Sequence, residues 1–236
     1  MPSIYSPNLV SGATSITIEG DEFHHLCHVK RIGVGYEVRL NNGEGIIAEG
    51  KISAINKHKA EIVLQTQAKF TAPQRPYAIA FALLKNKHDE LLIEKCTELG
   101  ASAFYPLESE FSVKTTSANT IIRFARIALA AIKQCDNPWL PIIKPTLKLK
   151  QAIQEIIKDG YTPILCSEAR PEASLATIDE AINPCFIIGP EGGFSAQEFA
   201  FFADQKISAV SICKLVTRAE TAAIAVTAQF AATQIL

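Results

Sequence analysis

The chain has 236 residues, is 48% hydrophobic and carries a formal net charge of −1. This apolar content suffices for one large domain or two small ones, and the near-neutral balance excludes a uniformly basic nucleic-acid binder, so any RNA contact must use local patches. No run approaches the roughly 18 apolar residues of a membrane span, and MPSIYSPNLV lacks the basic and apolar blocks of a secretory signal. The six cysteines are scattered without a C-x-x-C pair, which predicts reduced thiols in a cytoplasmic protein and no disulfide or zinc framework.

Residues 1–72 show short alternating apolar runs separated by turns. Ile16 and Ile18 share one face of SITIEG, and Val38 alternates with Leu40 before the hairpin-type turn Asn42-Gly43. GIIAEGKISAI and AEIVLQTQ continue the pattern, and a short helix from Asp21 to about Lys30 interrupts it. The spacing predicts a small, strongly bent β-barrel-like domain.

The pattern changes after TAPQRP, residues 71–76, which is typical of a linker. Continuous apolar runs typical of strands buried on both faces alternate with helical patterns. We expect Asp89 to cap the first helix and Gly100 to end it. Strands alternating with helices predict a parallel α/β sheet over residues 73–236. Its expected strands are 77–84, 101–107, 162–166, 185–188 and 207–212, and its expected helices are 89–100, 118–134, 149–160 and 218–236.

A glycine-rich turn, IIGPEGGFSAQE (187–198), joins an apolar strand to a helix. Ser195 and Glu198 form a capping box at the start of that helix. The glycines either serve only to turn the chain or bring backbone amides close to a ligand. The turn matches neither phosphate-binding glycine motif, and Glu191 would repel a phosphate. A ligand with a positive centre, or a neutral base read by backbone groups, suits the turn better.

A second segment, SICKLVTRAETAAIA (211–225), passes from a strand end into a helix through Arg218-Ala219-Glu220-Thr221. Alone it is a weak signal, because Arg218 and Glu220 are also compatible with an ordinary exposed ion pair. Thr221 is equally compatible with packing or capping.

Together, IGPEGGFSAQE and TRAETAA closely resemble the SPOUT superfamily of methyltransferases, and within it the bacterial 16S ribosomal RNA uracil-N3 methyltransferases. HHLCHVKRIGVGYEVRLNNGEG (24–45) resembles the PUA-like N-terminal segment of that family. IEKCTELGASAFYPLESEFSV (93–113) and IALAAIKQCDNPWLP resemble two blocks of its methyltransferase domain. The resemblance implies a PUA-like RNA-binding β-barrel over residues 1–72. It implies a trefoil-knotted SPOUT domain over 73–236, a rare exception to unknotted topology.

The resemblance also implies that the knot loops bind S-adenosylmethionine, with a homodimer completing the site. Three segments would surround the cofactor: LCSE (165–168), IGPEGG (188–193) and ICKLVTRAETA (212–222), with adenine held mainly by backbone groups. The cofactor-binding residues implied in this way are Leu165, Cys166, Ser167, Ile188, Gly189, Pro190, Gly192, Gly193, Ile212, Cys213, Leu215, Val216, Thr217 and Ala222.

Methylation of uracil N3 requires loss of a weakly acidic proton, so a base or an anion-stabilising group is needed. We expect Arg218 to stabilise negative charge on a uracil oxygen. Glu220 or Glu191 would accept the proton or orient Arg218. The alternative for all three residues is a structural ion pair. The target base must be unpaired, because N3 lies on its pairing edge.

The expected RNA-binding surface comprises Lys30 and Arg31 in the first domain and Lys85 and Lys87 in the second. For each of them an ordinary solvated surface side chain is the alternative. His24, Cys27 and His28 share a short segment, but His58 and His88 are isolated, so no metal site is expected.

Four positions depart from the family pattern. Ser3, Phe111 and Asn137 stand where arginines are usual, and Cys213 replaces a usual glycine. The leading hypothesis is methyl transfer from S-adenosylmethionine to a uridine N3 of 16S rRNA in the small ribosomal subunit. A methyltransferase for another RNA position is one alternative. A catalytically inactive RNA-binding or ribosome-assembly protein is another, motivated by the missing arginines.

Overall fold

A computed structural model describes residues 1–112, 118–167 and 173–234, which divide into two compact units. The first comprises Met1–Ala72 and Leu129–Leu140, and the second comprises Pro73–Ala128 and the chain from Pro141 onward. The boundary expected from the sequence, at residue 72, therefore leaves out residues 129–140, which belong to the first unit. No helix among the described residues is long and apolar enough to cross a bilayer.

The first unit is built on a five-stranded sheet. Its strands are β1 (Ser3–Tyr5), β2 (Ser15–Glu19), β3 (Glu37–Asn41), β4 (Ile46–Ile55) and β5 (Lys59–Lys69). They lie in the order β1-β3-β4-β5-β2; only the β1–β3 pair is parallel, and the others are antiparallel. Two register irregularities between β4 and β5 bend the sheet around a core that includes Val38, Leu40, Ile52 and Ile62.

Two sequence predictions in this unit are confirmed. The Asn42-Gly43 turn joins antiparallel β3 and β4, and the Asn42 side-chain oxygen accepts hydrogen bonds from the amides of Glu44 and Ile46, at 2.8 and 2.9 Å. The predicted short helix comprises α1 (Gly20–Phe23), which continues as a π-helical turn over His24–Val29.

The second unit contains an eight-stranded sheet. Its strands are β6 (Ala78–Ala82), β7 (Ala103–Glu108), β8 (Ile142–Ile143), β9 (Leu147–Lys148), β10 (Thr162–Cys166), β11 (Ala173–Ser174), β12 (Pro184–Ile188) and β13 (Ala209–Ser211). They lie in the order β11-β13-β10-β12-β6-β7-β8, with β9 also paired to β7. Each of these strand pairs is parallel, as the alternation of apolar runs and helical patterns predicts. Its helices are α2 (His88–Glu98), α3 (Ala118–Cys135, ending in the first unit), α4 (Leu149–Lys158), α5 (Ala196–Asp204) and α6 (Ala219–Ala232).

The central strands β6 and β12 are buried along their whole length. Gly100 follows α2 with φ +95, as expected for a residue that ends a helix. The expected cap at Asp89 is wrong. Lys87, with a left-handed φ of 64, occupies the N-cap, and Asp89 lies buried in the first turn of α2, where the helix dipole favours an acid.

The strand order determines where a site forms. From the centre of this parallel sheet, the strand order proceeds through β6 and β7 toward one edge and through β12, β10 and β13 toward the other. Ligands of parallel α/β sheets bind outside the carboxyl ends of the strands at such a switch point. The turns that follow β12, β10 and β13 are the segments in which the sequence predicts a site.

Candidate functional site

A cavity of ≈ 550 Å³ opens at the carboxyl edge of β10 and β12, within the size range of cofactor pockets. Three separate segments form most of its wall: the end of β10, the glycine turn after β12, and the start of α6. The lining residues are Cys166, Ser167, Ile188, Gly189, Pro190, Glu191, Gly192, Gly193, Phe194, Phe199, Val216, Thr217, Arg218, Ala219 and Ala222.

The glycine turn is held in one shape by its own hydrogen bonds. The Gly193 amide donates to the Pro190 carbonyl at 2.9 Å. Ser195 and Glu198 form the predicted capping box, with the Ser195 amide 2.8 Å from Glu198 Oε2. The other carboxylate oxygen of Glu198 accepts the Glu110 amide at 2.9 Å. The turn after β7 is therefore attached to the start of α5.

The Gly189 backbone lies against the aromatic floor of the cavity. Phe194 is buried and packs edge-on against Phe199 and Phe202, with ring centroids 6.2 and 5.0 Å away. A Cβ at position 189 would lie 3.0 Å from the Phe194 ring. A residue larger than glycine at position 189 would therefore press against the Phe194 ring.

The wall contributed by β10 ends in Cys166 and Ser167. The Ser167 amide donates to the Val210 carbonyl at 3.0 Å, which holds this end of β10 against β13. Burial raises the pKa of the Cys166 thiol, so the thiol is neutral at physiological pH. A neutral thiol offers neither a nucleophile nor a strong metal ligand.

The third wall runs from the end of β13 into α6. Arg218 is the N-cap residue of α6 and is exposed, and its side chain makes no cap hydrogen bond. Within the described residues, Arg218 has no ion pair. Its guanidinium is available at the cavity wall, where Arg218 and Glu191 are the charged lining residues.

One candidate carboxylate contacts the loop between β6 and α2, the other contacts the first residue of α2, and within the described residues neither forms an ion pair with Arg218. Glu191 Oε1 accepts the Lys85 backbone amide at 3.0 Å. Glu220 is buried, and its Oε1 lies 2.9 Å from His88 Nδ1. Glu191 is exposed and lines the cavity, whereas Glu220 lies behind the wall.

Four implied cofactor residues lie outside the cavity lining. Leu165 is buried within β10, whereas Ile212, Cys213 and Leu215 belong to the loop before α6. The Cys213 thiol is 3.0 Å from the Leu215 carbonyl, and Leu215 is 77% exposed. Glu168, the last residue of the LCSE segment, is outside the described residues.

All four candidate RNA-binding residues are exposed. Lys30 and Arg31 belong to the first unit, and Lys85 and Lys87 belong to the loop between β6 and α2. His24 and His28 approach with ring centroids 5.3 Å apart, but the described ranges contain no group of three metal-ligating side chains.

The structure gives two of the unusual positions a local role. The side-chain oxygen of Asn137 accepts a hydrogen bond from the Trp139 backbone amide at 2.9 Å. The backbone carbonyl of Asn137 accepts one from the Asn41 side-chain amide at 2.7 Å. Phe111, 45% exposed, packs on the glycine turn, where its Cβ would lie 3.3 Å from a Cβ at Gly192. Ser3 lies in β1.

Sequence reasoning missed four residues of the site. Phe194, Phe199 and Ala219 line the cavity. Phe194 directly follows Gly192 and Gly193 of the glycine turn. His88 was set aside as isolated because Glu220, its partner, is far away in sequence. No local pattern signals that pair.

Comparison with known proteins places the chain in a family. A model described as an RNA methyltransferase domain matches residues 71–231, and one described as an RNA methyltransferase PUA domain matches residues 18–65. The ribosomal RNA small subunit methyltransferase E of Synechocystis is 28% identical over 93% of this chain and 73% of its own length. That of Rickettsia conorii is 28% identical over 96% of this chain and 93% of its own.

Among solved structures, a ribosomal RNA small subunit methyltransferase E from Neisseria gonorrhoeae, bound to S-adenosyl methionine, shares the fold with a TM-score of 0.89. It is 22% identical, over 99% of this chain and 98% of the other. This likeness confirms the predicted fold, a parallel α/β unit with a smaller β-rich unit. The family match covers well over half of the sequence, and the chain belongs to the RNA methyltransferase family, with a PUA domain before its methyltransferase domain.

Proposed function

We propose that this protein transfers a methyl group from S-adenosylmethionine to N3 of a uridine in the 16S rRNA of the small ribosomal subunit, in the cytoplasm. One observation carries the proposal: the cavity at the carboxyl edge brings together the ends of β10 and β12 and the start of α6. These are the segments implied by the resemblance. The full-length relatives, whose names specify small-subunit ribosomal RNA, support the choice of substrate.

The chemistry of the cavity wall fits this cofactor. Ile188, Phe194 and Ala222 offer apolar surface to a flat base, and the glycine turn offers backbone groups. Glu191 offers a negative charge to a sulfonium centre, whereas it would repel the phosphates of a nucleotide. The cofactor, when bound, supplies an electrophilic methyl group to the attacking nitrogen.

Two side chains at the wall are suited to the uracil. Arg218, exposed and without an ion pair in the described chain, is available to stabilise the negative charge that develops on a uracil oxygen as N3 loses its proton. Glu191 lines the same cavity, which supports assigning to it the acceptance of that proton. Glu220 is buried behind the wall and bound to His88, which favours a supporting role.

The substrate approach and the oligomeric state are part of the same proposal. Lys85 and Lys87 lie on the loop whose backbone holds Glu191, so they are placed to contact phosphates of the RNA around the target base. Lys30 and Arg31 supply positive charge in the PUA unit. Leu215 and Val216, 77% and 79% exposed, are apolar side chains that a second copy would bury in a homodimer.

The test is methylation in vitro of small subunits and free 16S rRNA taken from a strain that lacks this gene. The methylated nucleotide is then mapped by mass spectrometry of nuclease fragments. Methylation at N3 of one uridine supports the proposal. A methyl group on a ribose or on tRNA would establish the alternative RNA target. Cofactor-independent RNA binding without transfer would establish the inactive alternative suggested by Ser3, Phe111 and Asn137.

A further inference from the structure

The loop between β6 and α2, together with the first residue of α2, contacts both candidate carboxylates. The Lys85 amide reaches Glu191 in the glycine turn, and the His88 ring reaches Glu220 at the start of α6. The loop is itself a fixed turn, because the His88 amide donates to the Lys85 carbonyl at 3.0 Å. Asn86 and Lys87 have left-handed φ values of 53 and 64, a conformation that costs free energy for residues other than glycine and that marks functional sites.

The contact between His88 and Glu220 determines which ring nitrogen carries a proton. A carboxylate only accepts hydrogen bonds, so the nitrogen 2.9 Å away must present its N–H. The neutral ring is then the Nδ1–H tautomer. Glu220 is only 7% exposed, and a buried carboxylate without a donor is strongly destabilising. His88 supplies that donor.

Glu220 connects this contact to the proposed chemistry. It lies in the first turn of α6, whose N-cap is Arg218, and the Ala222 amide donates to the Arg218 carbonyl at 2.8 Å. The helices α2 and α6 pack together, and the Thr227 hydroxyl of α6 lies 3.3 Å from the Cys96 thiol of α2. A donor fixed at the start of α2 therefore fixes the first turn of α6, and with it the backbone from which the Arg218 side chain extends.

We propose that His88 is a positioning residue for methyl transfer. Its Nδ1–H holds Glu220, and this contact orients the start of α6 so that Arg218 meets the uracil in productive geometry. The Lys85 amide holds Glu191 in the glycine turn in the same way. This inference rests on the proposed function, and it gives Glu220 the role of an internal anchor and not that of the proton acceptor.

Three substitutions at one position test the role. Asparagine places an amide N–H near the position of Nδ1, glutamine places it farther out, and leucine removes it. We expect His88→Leu and His88→Gln to lower kcat roughly tenfold to a hundredfold, because small misplacements of a reacting group cost rates of this order. The Kd for S-adenosylmethionine should stay within about threefold. His88→Asn should restore kcat to within about threefold of the wild type.

Two further measurements separate positioning from folding. The exposed histidine on the β4–β5 turn serves as the matched control: His58→Leu should leave kcat unchanged. Thermal unfolding of each variant shows whether a loss of rate follows a loss of structure. A His88→Leu variant with wild-type kcat, or a His88→Asn variant as slow as His88→Gln, would overturn the inference.

A readout without catalysis keeps this inference separate from the proposed function. In ¹⁵N NMR spectra, the wild-type His88 ring should carry its proton on Nδ1, and the Arg218 Nε–H signal should shift in His88→Leu but not in His88→Asn. If the wild type methylates no RNA while these signals behave as expected, the proposed function fails and the positioning contact stands. Unchanged Arg218 signals in His88→Leu contradict the positioning role whatever the activity.

Discussion

Gly189 lies so close to Phe194 that a Cβ at position 189 would be 3.0 Å from the ring. Because Phe194 is packed edge-on against two other phenylalanines, it has little room to move. We expect Gly189→Ala to lower the free energy of unfolding by about 1–3 kcal/mol, and to weaken S-adenosylmethionine binding because the displaced ring lines the cavity. Urea unfolding and calorimetry measure the two effects.

Gly33 provides the control for this substitution. It has an ordinary φ, and a Cβ built there meets nothing within 4 Å, so Gly33→Ala should leave both stability and cofactor binding unchanged. A Gly189→Ala variant that behaves like Gly33→Ala would show that the close approach to Phe194 does not shape the cavity.

Arg218 is the side chain on which the proposed chemistry depends most. Because it is exposed and makes no cap hydrogen bond, Arg218→Ala should leave the thermal midpoint and the cofactor Kd unchanged. Loss of a group that stabilises developing charge typically lowers kcat about 10²- to 10³-fold, and we expect a loss of that order. Lys214→Ala, a charge removed from the same loop outside the cavity lining, should keep full activity. Full methyl transfer by Arg218→Ala removes this residue from the mechanism.

Glu191 provides a test that separates charge from hydrogen bonding. Glutamine keeps an oxygen to accept the Lys85 amide but removes the negative charge and the ability to take a proton. We expect Glu191→Gln to retain the fold and to lower kcat by about 10²-fold or more, measured by single-turnover transfer of labelled methyl groups. A Glu191→Gln enzyme with the wild-type rate would assign the proton to another acceptor, such as water.

The pH dependence of stability has one predictable contributor far from the cavity. Hydrogen bonds from Lys144 and Tyr105 lower the pKa of Asp159, and the Tyr105 hydroxyl lies 2.7 Å from the carboxylate. A lowered pKa contributes stability that is fully present above the unfolded-state value, about 3.9, and is lost as the pH falls through the folded-state value. Asp159→Ala should therefore cost about 1–3 kcal/mol at pH 7. That cost should shrink progressively below about pH 4. A cost that is constant from pH 7 to pH 3 would contradict the assignment.

Much of the second unit was predictable because its signals are local. Continuous apolar runs such as YAIAFALL correspond to strands buried on both faces, and the capping box of Ser195 and Glu198 forms as its spacing indicates. The family resemblance assigns the two motifs around Gly189 and Arg218 to one site. The structure supplies the physical reason, because both motifs follow strands of a parallel sheet, whose carboxyl ends lie along one edge.

Other features depend on contacts that no local pattern encodes. Asp89 was expected to cap α2, but Lys87, two residues earlier, is the N-cap, and Asp89 is buried in the first turn. Glu220 was expected to accept the proton, to orient Arg218 or to form an ion pair with it, whereas its carboxylate contacts His88 at the start of α2. Residues 129–140 belong to the first unit, where Trp139 bridges to Glu44, although they lie in the sequence between strands of the second.

Calorimetric titration with S-adenosylmethionine, comparing the wild type with Ala222→Phe, tests most directly whether this cavity binds the methyl donor. Ala222 lines the cavity between the glycine turn and α6, so a phenylalanine there would fill the space while α6 remains helical. We expect one cofactor per wild-type chain, and loss of binding in Ala222→Phe with an unchanged thermal midpoint. A wild type that binds no S-adenosylmethionine, or a filled variant that binds it equally well, would contradict the placement of the methyl donor in this cavity.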